Sequence, residues 1–158
     1  MKITVSFHSV PPVSSVFLGI DYGSKRVGLS HGDELGFAFP LAAATAPEAE
    51  ERFSQIGREI ARLKVTRLVL GYPLSLEGEK TKRCLEVDAF AAELTQRFGL
   101  PIELVDEGLT SQAADGLSDQ RKPRSTKERQ DQAKSGVRDS RAAAVLLQDF
   151  LNSRGFGA

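Results

Sequence analysis

Apolar residues fall in two rhythms along this chain. Val16-Phe17-Leu18-Gly19-Ile20 is a continuous apolar run, the pattern of a buried central strand, and it ends at Asp21. Tyr22-Gly23-Ser24-Lys25 predicts a tight turn, with Gly23 able to take positive φ, and Val27-Gly28-Leu29-Ser30 starts a return strand. Asp33-Glu34-Leu35-Gly36 predicts a second turn. Phe37 to Leu41 then predicts a third strand, on an edge because Pro40 cannot donate to a ladder. From here the period changes. Thr45 as cap, Pro47 in the first turn and Glu48 three residues on predict a helix start. Ala49, Phe53, Ile56, Ile60 and Leu63 follow at helical spacing. Leu68-Val69-Leu70, closing in Gly71-Tyr72-Pro73, reads as a central parallel strand. Val87, Phe90, Leu94 and Phe98 mark a second helix, stopped by Gly99 and Pro101. Ile102 to Glu107 is another strand ending in carboxylates, and Thr110-Ser111 could cap a short helix fading near Gly116. A last helix opens at Asp139-Ser140, with Ala142, Ala143 and Ala144 for close packing and Val145, Leu146, Leu147, Phe150 and Leu151 as its apolar face.

The order is three antiparallel strands, helix, strand, helix, strand, helices. Right-handed crossovers make the later strands parallel to the first. The expected fold is an α/β domain over residues 16–151, a five-stranded mixed sheet with helices on both faces. Residues 1–15 alternate weakly through Ile3, Val5 and Phe7 to Pro11-Pro12 and form an extension, and residues 152–158 form a tail. In such sheets the site lies beyond the carboxyl ends of the parallel strands. Asp21, Gly71-Tyr72-Pro73 and Asp106-Glu107 all fall there.

Composition changes this picture in one respect. With 158 residues, 41% hydrophobic and 27% charged, the chain fits one soluble domain with a real core. Its 21 basic and 21 acidic residues cancel, so a polyanion must be met by a local patch. One such patch exists. Residues 118–138 lack apolar periodicity, and from Arg121 to Arg138 seven Lys/Arg (121, 122, 124, 127, 129, 134, 138) face two acids, Glu128 and Asp131. This predicts a mobile basic loop. The single cysteine, Cys84, fits a reducing cytoplasm, and neither a signal peptide nor a bilayer-spanning run is read.

The candidate chemistry is acidic. Asp21 ends an apolar strand, where a lone charge is costly unless something pairs with it. Glu107 ends the last strand and Asp139 opens the last helix, so the three can converge. Crowded carboxylates repel unless a cation neutralises them, and hard ions such as Mg²⁺ or Mn²⁺ take oxygen ligands. Two such ions, roughly 3.5–4 Å apart, support in-line phosphodiester hydrolysis. His8 and His31 are isolated and offer no zinc cluster. Lys25 and Arg26 would clamp a phosphate backbone if one lay nearby. Plainer readings stand beside these: Asp139 as a simple N-cap, Glu107 as the polar end of a strand, and the basic run as a solvated loop.

Gly19-Ile20-Asp21-Tyr22-Gly23-Ser24-Lys25-Arg26-Val27-Gly28 resembles the opening motif of the YqgF/RuvX family of pre-16S rRNA nucleases, also described as Holliday-junction-resolvase-like, with an RNase H-like fold. Residues 71–78, 105–111 (Val-Asp-Glu-Gly-Leu-Thr-Ser) and 139–148 match three further family motifs in order. The resemblance implies an endonuclease for precursor 16S rRNA. It makes Asp21, Glu107 and Asp139 both catalytic and ligands for Mg²⁺ or Mn²⁺, with Asp33 a nearby supporting acid. Lys25, Arg26, Arg121, Lys122 and Arg124 would bind substrate. The implied partners are nucleic acid, either precursor rRNA or branched DNA, and the ribosomal particle, with no membrane. Gly108 stands where the family usually carries a basic residue, Ser75 where it often has Asn, and His31-Gly32 replaces a more apolar segment. The alternative is a resolvase of four-way DNA junctions, which would act as a homodimer making paired cuts. Two other classes remain: an ATPase-like nucleotide module, disfavoured because 158 residues leave no room for a closing second domain, and a non-catalytic ribosome-associated binding protein.

Overall fold

The computed structural model describes residues 14–107, 127 and 136–156. Among the described residues the elements follow in the order β1 (Val16–Tyr22), β2 (Val27–Asp33), β3 (Ala38–Pro40), α1 (Ala49–Leu63), β4 (Arg67–Tyr72), α2 (Lys82–Phe98), β5 (Ile102–Asp106) and α3 (Val137–Ser153). The strands form one sheet in the order β3-β2-β1-β4-β5. β1 pairs antiparallel with β2, β2 antiparallel with β3, β1 parallel with β4, and β4 parallel with β5. This is the expected mixed sheet. β3, which carries Pro40, lies on the edge.

Alternation along the strands divides the core in two. Leu18, Ile20, Leu29, Leu68 and Leu70 point to one face and are buried there with Ile56 of α1 and Cys84, Val87, Phe90 and Leu94 of α2. Phe17 and Val69 point to the other, against Leu146, Leu147, Phe150 and Leu151 of α3. Helices therefore cover both faces. Among the described residues no helix is long and apolar enough to cross a membrane.

Four local expectations need correction. Gly23 is not among the glycines with positive φ; its backbone instead runs so close to the Arg26 carbonyl oxygen that a Cβ would stand 2.5 Å from it. The first helix starts later than Thr45, with Glu48 as its N-cap. The cause is a bridge between Val27 and Ala44, with N–H···O bonds of 2.9 and 2.8 Å, which holds residue 44 extended. The last helix starts earlier than Asp139. Gly136 is its N-cap at φ 72°, so Val137 and Arg138, read as the end of the basic loop, are already helical and Asp139 is a first-turn residue. Asp33 pairs across from Val16, at the opposite end of β1 from Asp21, and accepts the Leu35 N–H at 2.9 Å in the second turn. It therefore cannot support a site at Asp21. The expected short helix after Thr110 lies outside the described residues.

Candidate active site

Beside Phe17 and Val69, the face of the sheet under α3 carries a run of small residues. Gly19, Asp21, Gly28, Ser30, Gly32 and Gly71 share it, because Asp21 is paired with Gly28, Gly19 with Ser30, and Phe17 with Gly32. At Gly28 a Cβ would collide with the main-chain carbonyl of Asp139. At Gly19 it would stand 2.9 Å from Leu147 Cβ and 3.0 Å from the Ala143 oxygen. Only glycine lets the helix lie this low on the strands. Two buried hydroxyls then fix its register. Ser30 Oγ donates to the Ala143 oxygen at 2.7 Å, and Ser140 Oγ accepts the Leu29 N–H at 3.1 Å. Both serines are buried and partnered, as buried polar groups must be.

This packing lowers the first turn of α3, and with it Asp139, onto the carboxyl end of β1. Gly71 does the same for Glu107. A Cβ there would lie 2.7 Å from Glu107 Oε2, so the missing side chain leaves the space that Glu107 fills. Glycines in the two strands that flank β1, Gly28 of β2 and Gly71 of β4, thus bring the three acids to one end of the sheet.

The electrostatics follow from that crowding. Burial raises the Asp21 carboxyl from its ordinary 3.8 to about 7, and the charges of Glu107 and Asp139 push in the same direction against Arg83. Burial also raises Glu107, with Arg83 opposing and Asp106 adding to the rise. Each outer acid has an arginine. Arg26 Nε donates to Asp139 Oδ2 at 3.1 Å, and Arg83 Nη1 lies 3.6 Å from Glu107 Oε1. As placed, the acids do not close on a common centre: among the described residues no three His, Cys, Asp or Glu are gathered tightly enough to hold a metal ion.

Of the expected site residues, Asp21, Glu107, Asp139 and Arg26 come together, and Lys25 is exposed on the adjoining turn. Arg121, Lys122 and Arg124 lie outside the described residues. Sequence reasoning missed Arg83, and it placed Gly28 and Gly71 in motifs without their packing roles. The available signals were a helix first turn with Lys82 and Arg83 but no acid, and glycines inside otherwise apolar strands.

Strand order, parallel and antiparallel pairing, and helices on both faces define this as an RNase H-like α/β protein. The pattern described as "RuvX: Holliday junction resolvase" matches residues 15–153, and the chain belongs to that family. A relative from Opitutus terrae, described as a putative pre-16S rRNA nuclease, is 41% identical over 138 residues, covering 87% of this chain and 91% of its own. One from Maridesulfovibrio salexigens with the same description is 40% identical over 141 residues, 85% of this chain and 96% of its own. Among solved structures, the fowlpox virus Holliday junction resolvase superposes with a TM-score of 0.51 at 11% identity, over 88% of this chain and 99% of its own, a likeness of fold.

Proposed function

We propose that this chain is a divalent-metal-dependent endonuclease that hydrolyses phosphodiester bonds in the maturation of precursor 16S rRNA. The observation that carries this reading is Asp21, whose carboxyl burial and two neighbouring acids raise to about 7 at the carboxyl end of the central strand. Three mutually repelling oxygen donors suit a hard dication, which lowers the cost of keeping all three ionised. Asp21, Glu107 and Asp139 would hold Mg²⁺ or Mn²⁺. Bound there, one or two such ions supply Lewis-acid activation of water and stabilise the leaving oxygen. The rest is done by the chain. Asp21 contributes a carboxylate from the end of the central strand, where pairing with Gly28 of β2 holds its backbone. Arg26 holds Asp139 on the hairpin side. Lys25 and Arg26, with Arg121, Lys122 and Arg124 of the basic segment, contact substrate phosphates and set the strand's register. The setting is the cytoplasm, where Cys84 stays reduced.

The relatives' description as pre-16S rRNA nucleases supports RNA as substrate. The family's description as a Holliday junction resolvase supports a second reading, resolution of four-way DNA junctions by a homodimer. One pair of assays separates them. The protein is incubated with a precursor 16S rRNA fragment and with a four-way junction, in Mg²⁺ and in Mn²⁺. Cleavage of the RNA with the junction intact is expected. Paired symmetric cuts in the junction and intact RNA would favour the second reading, and failure to cut either would refute both.

A further inference from the structure

We propose that Arg83 is a substrate-contacting residue of this site, gripping the phosphodiester that enters between β1 and β5. The inference rests on the nuclease reading and deepens it. Arg83 lies in the first turn of α2, and its Nη2 donates to the main-chain carbonyl of Tyr22 at 2.7 Å. Tyr22 directly follows Asp21. The same guanidinium reaches towards Glu107, with Nη1 3.6 Å from Oε1. It therefore spans the mouth between two of the three acids.

A simple surface ion pair does not account for this placement. A charge-assisted bond between guanidinium and carboxylate closes to about 2.7–2.9 Å, and here the short bond goes to a neutral carbonyl instead. Helix stability does not account for it either. The first turn of α2 carries Lys82 and Arg83 and no acid, which sets cations at the positive end of the helix. Arg83 also keeps 49% of its side chain exposed, although it contacts an acid that is only 16% exposed. One end of the planar fork is tethered to the backbone and the remainder faces solvent at the acidic centre. A cation held by Glu107 would weaken that acid's pull on Arg83 and leave the Tyr22 tether in place. The fork then presents parallel donors to the non-bridging oxygens of a phosphodiester, a geometry that lysine does not reproduce.

The test uses full-length protein carrying Asp21→Asn, so that substrate is bound and not cut. Fluorescence anisotropy with labelled precursor 16S rRNA fragment and labelled four-way junction, in Mg²⁺ from 50 to 200 mM salt, gives affinity and its salt slope. Adding Arg83→Gln should weaken binding at low salt and flatten the log–log slope by about 0.7 to 0.9, one phosphate contact. Arg83→Lys should restore the slope but not the full affinity. Arg62→Gln, at the far end of α1, should change neither. In the cleaving enzyme, Arg83→Lys should raise KM more than it lowers kcat. If Arg83 only holds Glu107 in place, Arg83→Gln will alter Mn²⁺ affinity and leave the nucleic-acid slope untouched, which overturns the proposal. If the Asp21→Asn parent binds neither nucleic acid, the nuclease reading fails and this inference falls with it.

Discussion

On the side of α1 and α2 the sheet presents Leu18, Ile20, Leu29, Leu68 and Leu70, each at most 1% exposed. On the side of α3 the alternating positions include Phe17 and Val69, but the rest are Gly19, Gly28, Ser30, Gly32 and Gly71. Burying a large aliphatic side chain stabilises a fold by roughly 1.5–3 kcal/mol, so the first face supplies hydrophobic stabilisation. The second gives up side chains, and therefore buried area, in return for proximity. Its glycines let α3 sit against the strands and give Glu107 room above Gly71. The candidate chemistry stands at one end of the glycine face and nowhere on the aliphatic one. Substitutions on the two faces should therefore fail in different ways.

The largest expected effect is on catalysis. Asp139→Asn and Glu107→Gln keep side-chain shape but remove charge, and each should lower metal-dependent cleavage by orders of magnitude with little change in melting temperature. Asp139 sits in the first turn of α3, where Asn forfeits about 0.3–1 kcal/mol of interaction with the helix dipole, so an active Asp139→Asn enzyme would reduce Asp139 to a structural helix residue. Next comes the aliphatic face. Ile56 is fully buried, and Ile56→Ala should cost about 2–5 kcal/mol in a urea titration. Its kcat, measured well below the melting temperature, should be near wild type. Gly28→Ala should combine the two failures. Its new methyl group meets the Asp139 carbonyl, so overpacking should cost about 1–3 kcal/mol and also displace Asp139 and impair cleavage. Loss of stability without loss of activity would break the link between the glycine face and the site.

A further readout is pH dependence. Folding raises the Asp21 carboxyl from 3.8 to about 7, so the folded chain holds more protons than the unfolded chain between those values. Stability without divalent metal should therefore fall as pH rises from about 4 to 7. Asp21→Asn should flatten that part of the profile, and thermal melts in a chelating buffer would show it. An unchanged profile would mean that Asp21 is not strained by its neighbours.

Much of this was legible in the chain. The apolar runs gave β1 and β4, and Pro40 marked the edge strand, because burial and missing donors leave plain traces in sequence. Three of the gathered acids were also readable, since each sits where an element ends or begins. The start of α3 was hidden because Gly136, a residue that usually ends helices, here opens one inside a polar run. Thr45 looked like a cap, but pairing of Val27 with Ala44, seventeen positions apart, delayed the helix. Asp33 looked close to Asp21 along the chain, but antiparallel pairing puts the two at opposite ends of the sheet. Arg83 carried no motif. Its meaning depends on the Tyr22 carbonyl and Glu107, 61 and 24 residues away in opposite directions along the chain.

On the proposed function, glycine-made packing brings Asp21, Glu107 and Asp139 to one end of the sheet, where they would hold a hard dication. Isothermal titration of Mn²⁺ into the full-length protein at pH 7 tests it most directly. Wild type should bind with release of protons, because Asp21 is partly protonated there and must ionise to ligate. Asp21→Asn should weaken the binding sharply and remove the proton release, since the remaining Glu107 and Asp139 still offer oxygen donors. Wild-type Mn²⁺ affinity in Asp21→Asn, or no binding by the wild-type chain, would contradict the claim.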